Sequence, residues 1–109
     1  MKRILTKPLL LGMISVAIMM PASVVAADGA SLFKTKTCTA CHGKDGKTPV
    51  MPMYPKIAGQ NADYAFNQMV DIKSGKRNNG QTAAMKGVMS LVNDDEMRAI
   101  ANWLATQPR

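Results

Sequence analysis

Residues 38–42 read Cys38-Thr39-Ala40-Cys41-His42, two thiols three positions apart followed at once by an imidazole. They are the only two cysteines and the only histidine in a chain of 109 residues. Two cysteines at this spacing project to one side of a helical turn, at about the separation of the two vinyl groups of a porphyrin, and the next residue brings its ring beneath the central iron. C-x-x-C-H is therefore the attachment pattern of a c-type haem, with Cys38 and Cys41 forming thioethers and His42 taking the iron.

Other chemistry for the same residues is weighed against this. Structural zinc wants four Cys or His ligands and the chain offers three. A thioredoxin-like dithiol would leave His42 without a role, and it belongs at the end of a strand in a βαβ pattern that this sequence does not show. A disulfide between Cys38 and Cys41 would close so short a loop that it stabilises little. Dithiol and disulfide stand as the alternatives to haem.

The elements that must position the motif are helices and loops. Ala30–Thr37 reads as a short helix, started by Asp28 or Gly29, with Leu32 and Phe33 as its apolar residues. It runs directly into the motif. Residues 43–60 hold three Gly, three Pro and three Lys with scattered apolar side chains, an irregular wrap suited to lining one side of a haem. Over 61–74, Ala62, Ala65, Phe66, Met69, Val70 and Lys73 keep the spacing of one helical face, with Asn61 as N-cap and Gly75 as stop. Residues 75–92 read as a second loop. The run Asn93-Asp94-Asp95-Glu96 opens a last helix with a capping box, and Met97, Ile100, Ala101 and Leu104 form its apolar face beside Trp103. Nothing reads as a strand.

The N-terminus has the layout of a signal peptide: basic Lys2, Arg3 and Lys7, an apolar run from Pro8 to Met20, then Pro21 and small residues up to Ala27. Cleavage after Ala27 is the expectation, with residues 28–109 as one domain. An uncleaved anchor is the alternative, since 8–27 is just long enough to span a bilayer. Export agrees with the motif, because haem thioethers are formed outside the cytoplasm. Without the leader, 11 basic residues face seven acidic ones, and the formal net charge falls from +7 to +4. That modest charge on an exported chain gives no support to nucleic-acid binding. A domain of 82 residues buries little surface, so a covalently held macrocycle would also complete its core.

With no second histidine, a methionine thioether is the candidate for the sixth iron position. Six methionines follow the leader: Met51, Met53, Met69, Met85, Met89 and Met97. Met69 and Met97 belong to helical faces, and Met51 and Met53 lie in the segment that should wrap the histidine side. Met85 and Met89 are far enough along the chain to return on the opposite face, with Met85 ranked first and Met89 second.

Cys38–His42, Pro55-Lys56-Ile57-Ala58-Gly59-Gln60, the helix ending at Gly75, Met85-Lys86-Gly87 and the capped last helix together resemble class I cytochromes c. The resemblance is to small bacterial members of the c553 and c4 kind and spans residues 29–107. It implies an all-α fold of three to four short helices and long loops wrapped around one covalently bound haem c. It implies Met85 as axial ligand with His42, and the Pro55 carbonyl as acceptor from the proximal imidazole. One departure stands out: Phe33 lies five residues before Cys38, further than the corresponding aromatic in many relatives, which loosens the expected contact with Trp103. The c4 proteins carry two such domains, and this chain has one.

The expected function is a periplasmic carrier of single electrons between redox protein partners, monomeric and without stable membrane insertion once the leader is removed. The alternative is a cytochrome subunit of a larger oxidoreductase, resembling flavocytochrome c sulfide dehydrogenases. A haem enzyme or gas sensor would require Met85 to be absent or displaceable. Lys34, Lys36, Lys44, Lys47, Lys56, Lys73, Lys76, Arg77 and Lys86 lie in or beside the haem-binding segments. They either steer an acidic partner to the haem edge or only solubilise the protein.

Overall fold

A computed structural model describes residues 5–6, 8–18 and 28–109. The expected cleavage site after Ala27 lies outside the described residues. Among those described, no helix is long and apolar enough to cross a membrane, and no strand is present.

Five helices follow in order: α1 (Gly29–Thr35), α2 (Thr39–His42), α3 (Ala62–Ser74), α4 (Thr82–Met89) and α5 (Asp94–Thr106). The all-α class is as read from sequence, but the count exceeds three to four. The added element is α4, in a segment expected to be a loop. Its start lacks a side-chain cap and Gly87 sits inside it, so local propensity is poor. What forms it is packing against α3. Thr82 and Met89 are buried while Met85 and Val88 are half-buried, an inward stripe that a 3.6-residue period creates.

The other helices follow local signals. The Asp28 carboxylate accepts from the Ala30 N–H at α1, and the Asn61 side chain accepts from Tyr64 N–H at α3. At α5 the capping box is complete, with Glu96 N–H donating to Asn93 Oδ1 (2.8 Å) and Asn93 N–H to Glu96 Oε1 (3.1 Å). Met97, Ile100, Ala101 and Leu104 of α5 are buried, and α5 packs against both α1 and α3.

Phe33 and Trp103 meet with ring centroids 5.0 Å apart and planes tilted by 43°. The spacing departure therefore does not loosen this contact. The reason lies in how closely α1 approaches α5: a Cβ on Gly29 would run into the Ala99 carbonyl and the Trp103 Cβ. The missing side chain lets the two backbones approach, and the aromatic pair fills the space beside them.

Between α1 and α2 the chain reverses at Thr37, whose φ of 66° is the left-handed region. For a β-branched residue this costs on the order of 1–2 kcal/mol, and the reversal brings Cys38 N–H onto the Phe33 carbonyl at 3.1 Å. After α2, the wrap over 43–60 is irregular as read, and its turns are fastened by backbone bonds. The Gly46 carbonyl accepts from Ile57 and Ala58, Val50 N–H reaches the Cys41 carbonyl, and Gly59 N–H reaches the Leu104 carbonyl. The wrap thus ties the thiol motif to the end of α5.

Candidate functional site

The single turn of α2 carries the motif, so Cys38, Cys41 and His42 share one short stretch of backbone whose direction is set at both ends. Thr37 turns the chain into it. Gly43, at φ 83°, turns it out, and a Cβ there would strike the Thr48 carbonyl. The two thiols are unbonded to each other and half-buried. Burial pushes the Cys38 thiol up to about 11, with the neighbouring Cys41 adding to the rise. A redox dithiol needs the opposite, a depressed attacking thiol in an electropositive setting.

His42 is buried, and its Nδ1 lies 2.9 Å from the Pro55 carbonyl oxygen. A carbonyl only accepts, so the ring proton sits on Nδ1 and the lone pair on Nε2. The imidazole is held in one tautomer with one nitrogen free to ligate. Pro55 can present its carbonyl because the proline-bounded segment Pro49–Pro55 folds back over the motif, anchored by the Val50–Cys41 bond.

These side chains open onto a cleft with a cavity volume of about 390 Å³, walled by α2, the 53–55 segment, Ile72 of α3, the 77–81 loop and α4. That volume lies within the range of about 300–1,000 Å³ usual for small-molecule sites. Met85 and Met89 both line it, one helical turn apart on the same face of α4. They differ in burial. Met89 is 1% exposed and belongs to the core with Phe33 and Ile72, whereas Met85 is half-buried at the cleft wall. Met69 and Met97 are core residues, as their helical spacing predicts. Met51 is exposed and away from the cleft, while Met53, 56% exposed, joins the cleft wall. Sequence had assigned both to a wrap without separating them.

The lining suits an amphiphilic macrocycle. Most of it is apolar, two thiols and a free imidazole nitrogen converge from one side, thioethers line another wall, and Arg77, Asn79, Gln81 and Thr82 supply a polar rim. Among the described lining residues Arg77 is the one permanent charge, and Gln68 steadies it at 3.0 Å.

The cytochrome c family model matches residues 26–108. The chain belongs to the cytochrome c family. Within it, the all-α architecture and the relatives make it a small class I c-type cytochrome. It is 42% identical to a cytochrome c4 of Pseudomonas aeruginosa, over 68% of this chain and 35% of that one. It is 32% identical to a cytochrome c-553 of Nitratidesulfovibrio vulgaris, over 77% of this chain and 80% of that one. It is also 30% identical to a protein of Stutzerimonas stutzeri named thiosulfate dehydrogenase electron acceptor, over 84% of this chain and 44% of that one. The chain thus spans about a third of the cytochrome c4 and less than half of the electron acceptor. Membership of the cytochrome c family implies covalently bound haem c, which the paired thiols of Cys38 and Cys41 fit.

Sequence reading missed three features around this cytochrome's cleft. Thr37 gave no glycine signal for its left-handed turn. The stripe Thr82, Met85 and Met89, at i, i+3 and i+7, was a helical signal obscured by the glycines and asparagines before it. Two lysines read as either docking or solubilising charge are instead engaged within the protein: Lys36 with Leu91 and Glu96, and Lys73 with Val92.

Proposed function

We propose that this cytochrome is a periplasmic electron carrier whose haem is attached through Cys38 and Cys41 and whose iron is held by His42 Nε2 and the Met85 thioether. Bound there, the haem supplies a one-electron ferric–ferrous couple. The observation that carries the reading is the His42–Pro55 hydrogen bond, which fixes the ligating nitrogen beside two thiols in a methionine-lined cleft. Pro55 raises the basicity of the imidazole by drawing on its Nδ1 proton. Met85, a soft neutral ligand, favours the ferrous state. Two protein ligands close the iron to substrate, so the chain acts by relaying electrons.

Partner recognition is electrostatic in this reading. Lys34, Lys44, Lys47, Lys56, Lys76 and Lys86 are exposed, and the chain from residue 28 onward is net cationic, which suits an acidic docking surface. Lys36 and Lys73 do not count toward it, being held within the protein. A second reading, favoured by the name of the Stutzerimonas relative, is the electron-accepting subunit of a larger oxidoreductase. Isolation in a stable complex from the native source would favour it over a free carrier.

The test is a visible spectrum of the exported protein, ferric and then reduced, with a denaturing gel stained for covalent haem. Covalent haem with a weak far-red sulfur-to-iron band, lost in Met85→Ala and retained in Met89→Leu, is the expected result. Covalent haem without the band would move the reading to an open-site enzyme or sensor. No haem at all would return it to a dithiol or disulfide.

A further inference from the structure

Lys36 and Lys73 come from different helices and meet on one short turn. Lys36, the C-cap of α1 and two residues before Cys38, donates from Nζ to the Leu91 carbonyl at 3.0 Å and lies 3.2 Å from Glu96 Oε2. Lys73, in the last turn of α3, donates from Nζ to the neighbouring Val92 carbonyl. Leu91 and Val92 belong to the turn between α4 and α5, so both lysines grip the chain just beyond the helix that carries Met85 and Met89.

Beyond its packing on α3, α4 has little local support. Its N-terminus has no side-chain cap, Gly87 within it lowers helix propensity, and the 76–81 segment leading into it is exposed throughout. Its downstream end is where it is fastened. The two ammonium groups donate to the backbone carbonyls of Leu91 and Val92, and a charged donor makes such bonds stronger than a neutral one does. Lys36 also bonds the arm that leads into the thiol motif to the arm that leads out of α4, a connection across 55 residues of sequence.

We propose that Lys36 and Lys73 are positioning residues, a two-point clamp that fixes α4 against the Cys38–His42 arm and thereby holds the Met85 sulfur in ligating position. This rests on the Met85 reading above. A thioether is a weak neutral ligand, so its residence on iron depends on how firmly the scaffold presents it. Without the clamp, the Met85 turn of α4 loosens while Met89 stays packed in the core.

The experiment uses the haem-loaded protein with Lys36→Met and Lys73→Met, which keep the stems and remove the donors, and Ser31→Ala on the exposed face of α1 as control. Two readouts are followed in the ferric state: the rate at which imidazole displaces the sulfur ligand, and the melting of the far-red band against that of the far-UV helix signal. Each clamp variant is expected to raise the displacement rate roughly tenfold, the factor that loss of one charge-assisted hydrogen bond gives. Its band should melt below the helix signal, while Ser31→Ala matches wild type. Equal rates in all three variants, or band and helices melting together, would overturn the clamp alone. A wild type without the band would remove the Met85 reading and the clamp with it. Should Lys73→Met not accumulate, Lys36→Met, at a partly exposed position, decides the matter.

Discussion

His42 Nδ1 donates to the carbonyl oxygen of Pro55 across 2.9 Å, joining residues 13 positions apart and leaving Nε2 as the only ring nitrogen able to ligate. With His42 on the iron as proposed, the bond would push electron density toward Nε2 and so favour the ferric state. Pro55→Ala frees the backbone that aims this carbonyl. The reduction potential is expected to rise by some tens of millivolts, since a tenfold change in relative affinity is about 59 mV for a one-electron couple. A redox titration of both proteins measures it.

Met85 and Met89 share a face of α4 but differ in what surrounds them, so their substitutions should separate. Met85→Ala is expected to abolish the far-red band and let the ferrous protein bind carbon monoxide, at little cost in stability because the side chain is only half-buried. Met89→Ala should keep the band yet lose about 2–5 kcal/mol of stability through the cavity it leaves in the core. Spectra and denaturant titrations distinguish the two patterns.

Gly29 marks the contact of α1 with α5, where a Cβ meets backbone rather than a flexible side chain. Gly29→Ala must push the helices apart and disturb the Phe33–Trp103 pair. The expected loss is about 1–3 kcal/mol, visible as a lower thermal midpoint with altered tryptophan fluorescence.

The Glu96 carboxylate is held below its ordinary value of 4.5, first by the Asn93 backbone N–H and then by Lys36. A carboxylate depressed in the folded state stabilises the protein above its unfolded value and loses that contribution as pH falls through the folded one. Wild type should therefore exceed Glu96→Gln in stability by a constant margin above about pH 5, and the margin should shrink below pH 4.5. Thermal melts across that range test the sign.

Six exposed lysines on a net cationic chain predict salt-sensitive electron exchange with an acidic partner. The second-order rate should fall on the order of tenfold or more as the Debye length shrinks from about 10 Å at 0.1 M to about 3 Å at 1 M. Stopped-flow reduction by an acidic and a basic partner should give opposite salt slopes.

Much of the molecule was legible without coordinates because its signals are local. The five-residue motif, the Asn61 and Asn93 caps and the apolar faces of α3 and α5 depend on spacings shorter than two helical turns. Those distances are set by backbone geometry, so residue types alone convey them.

What escaped depends on contacts between distant segments. Thr82–Met89 is helical because α3 receives its apolar stripe, a stabilisation that no cap or propensity within the segment supplies. Phe33 reaches Trp103 because Gly29 admits a close crossing, whatever the spacing to Cys38. Lys36 and Lys73 looked like free surface charge, and only the folded chain brings the turn after α4 beneath them. The sequence determined which groups could bind a haem and where the capped helices α3 and α5 would run. The tertiary structure decided which methionine lies at the cleft wall and which in the core, because that depends on the packing of α4 against the rest of the fold.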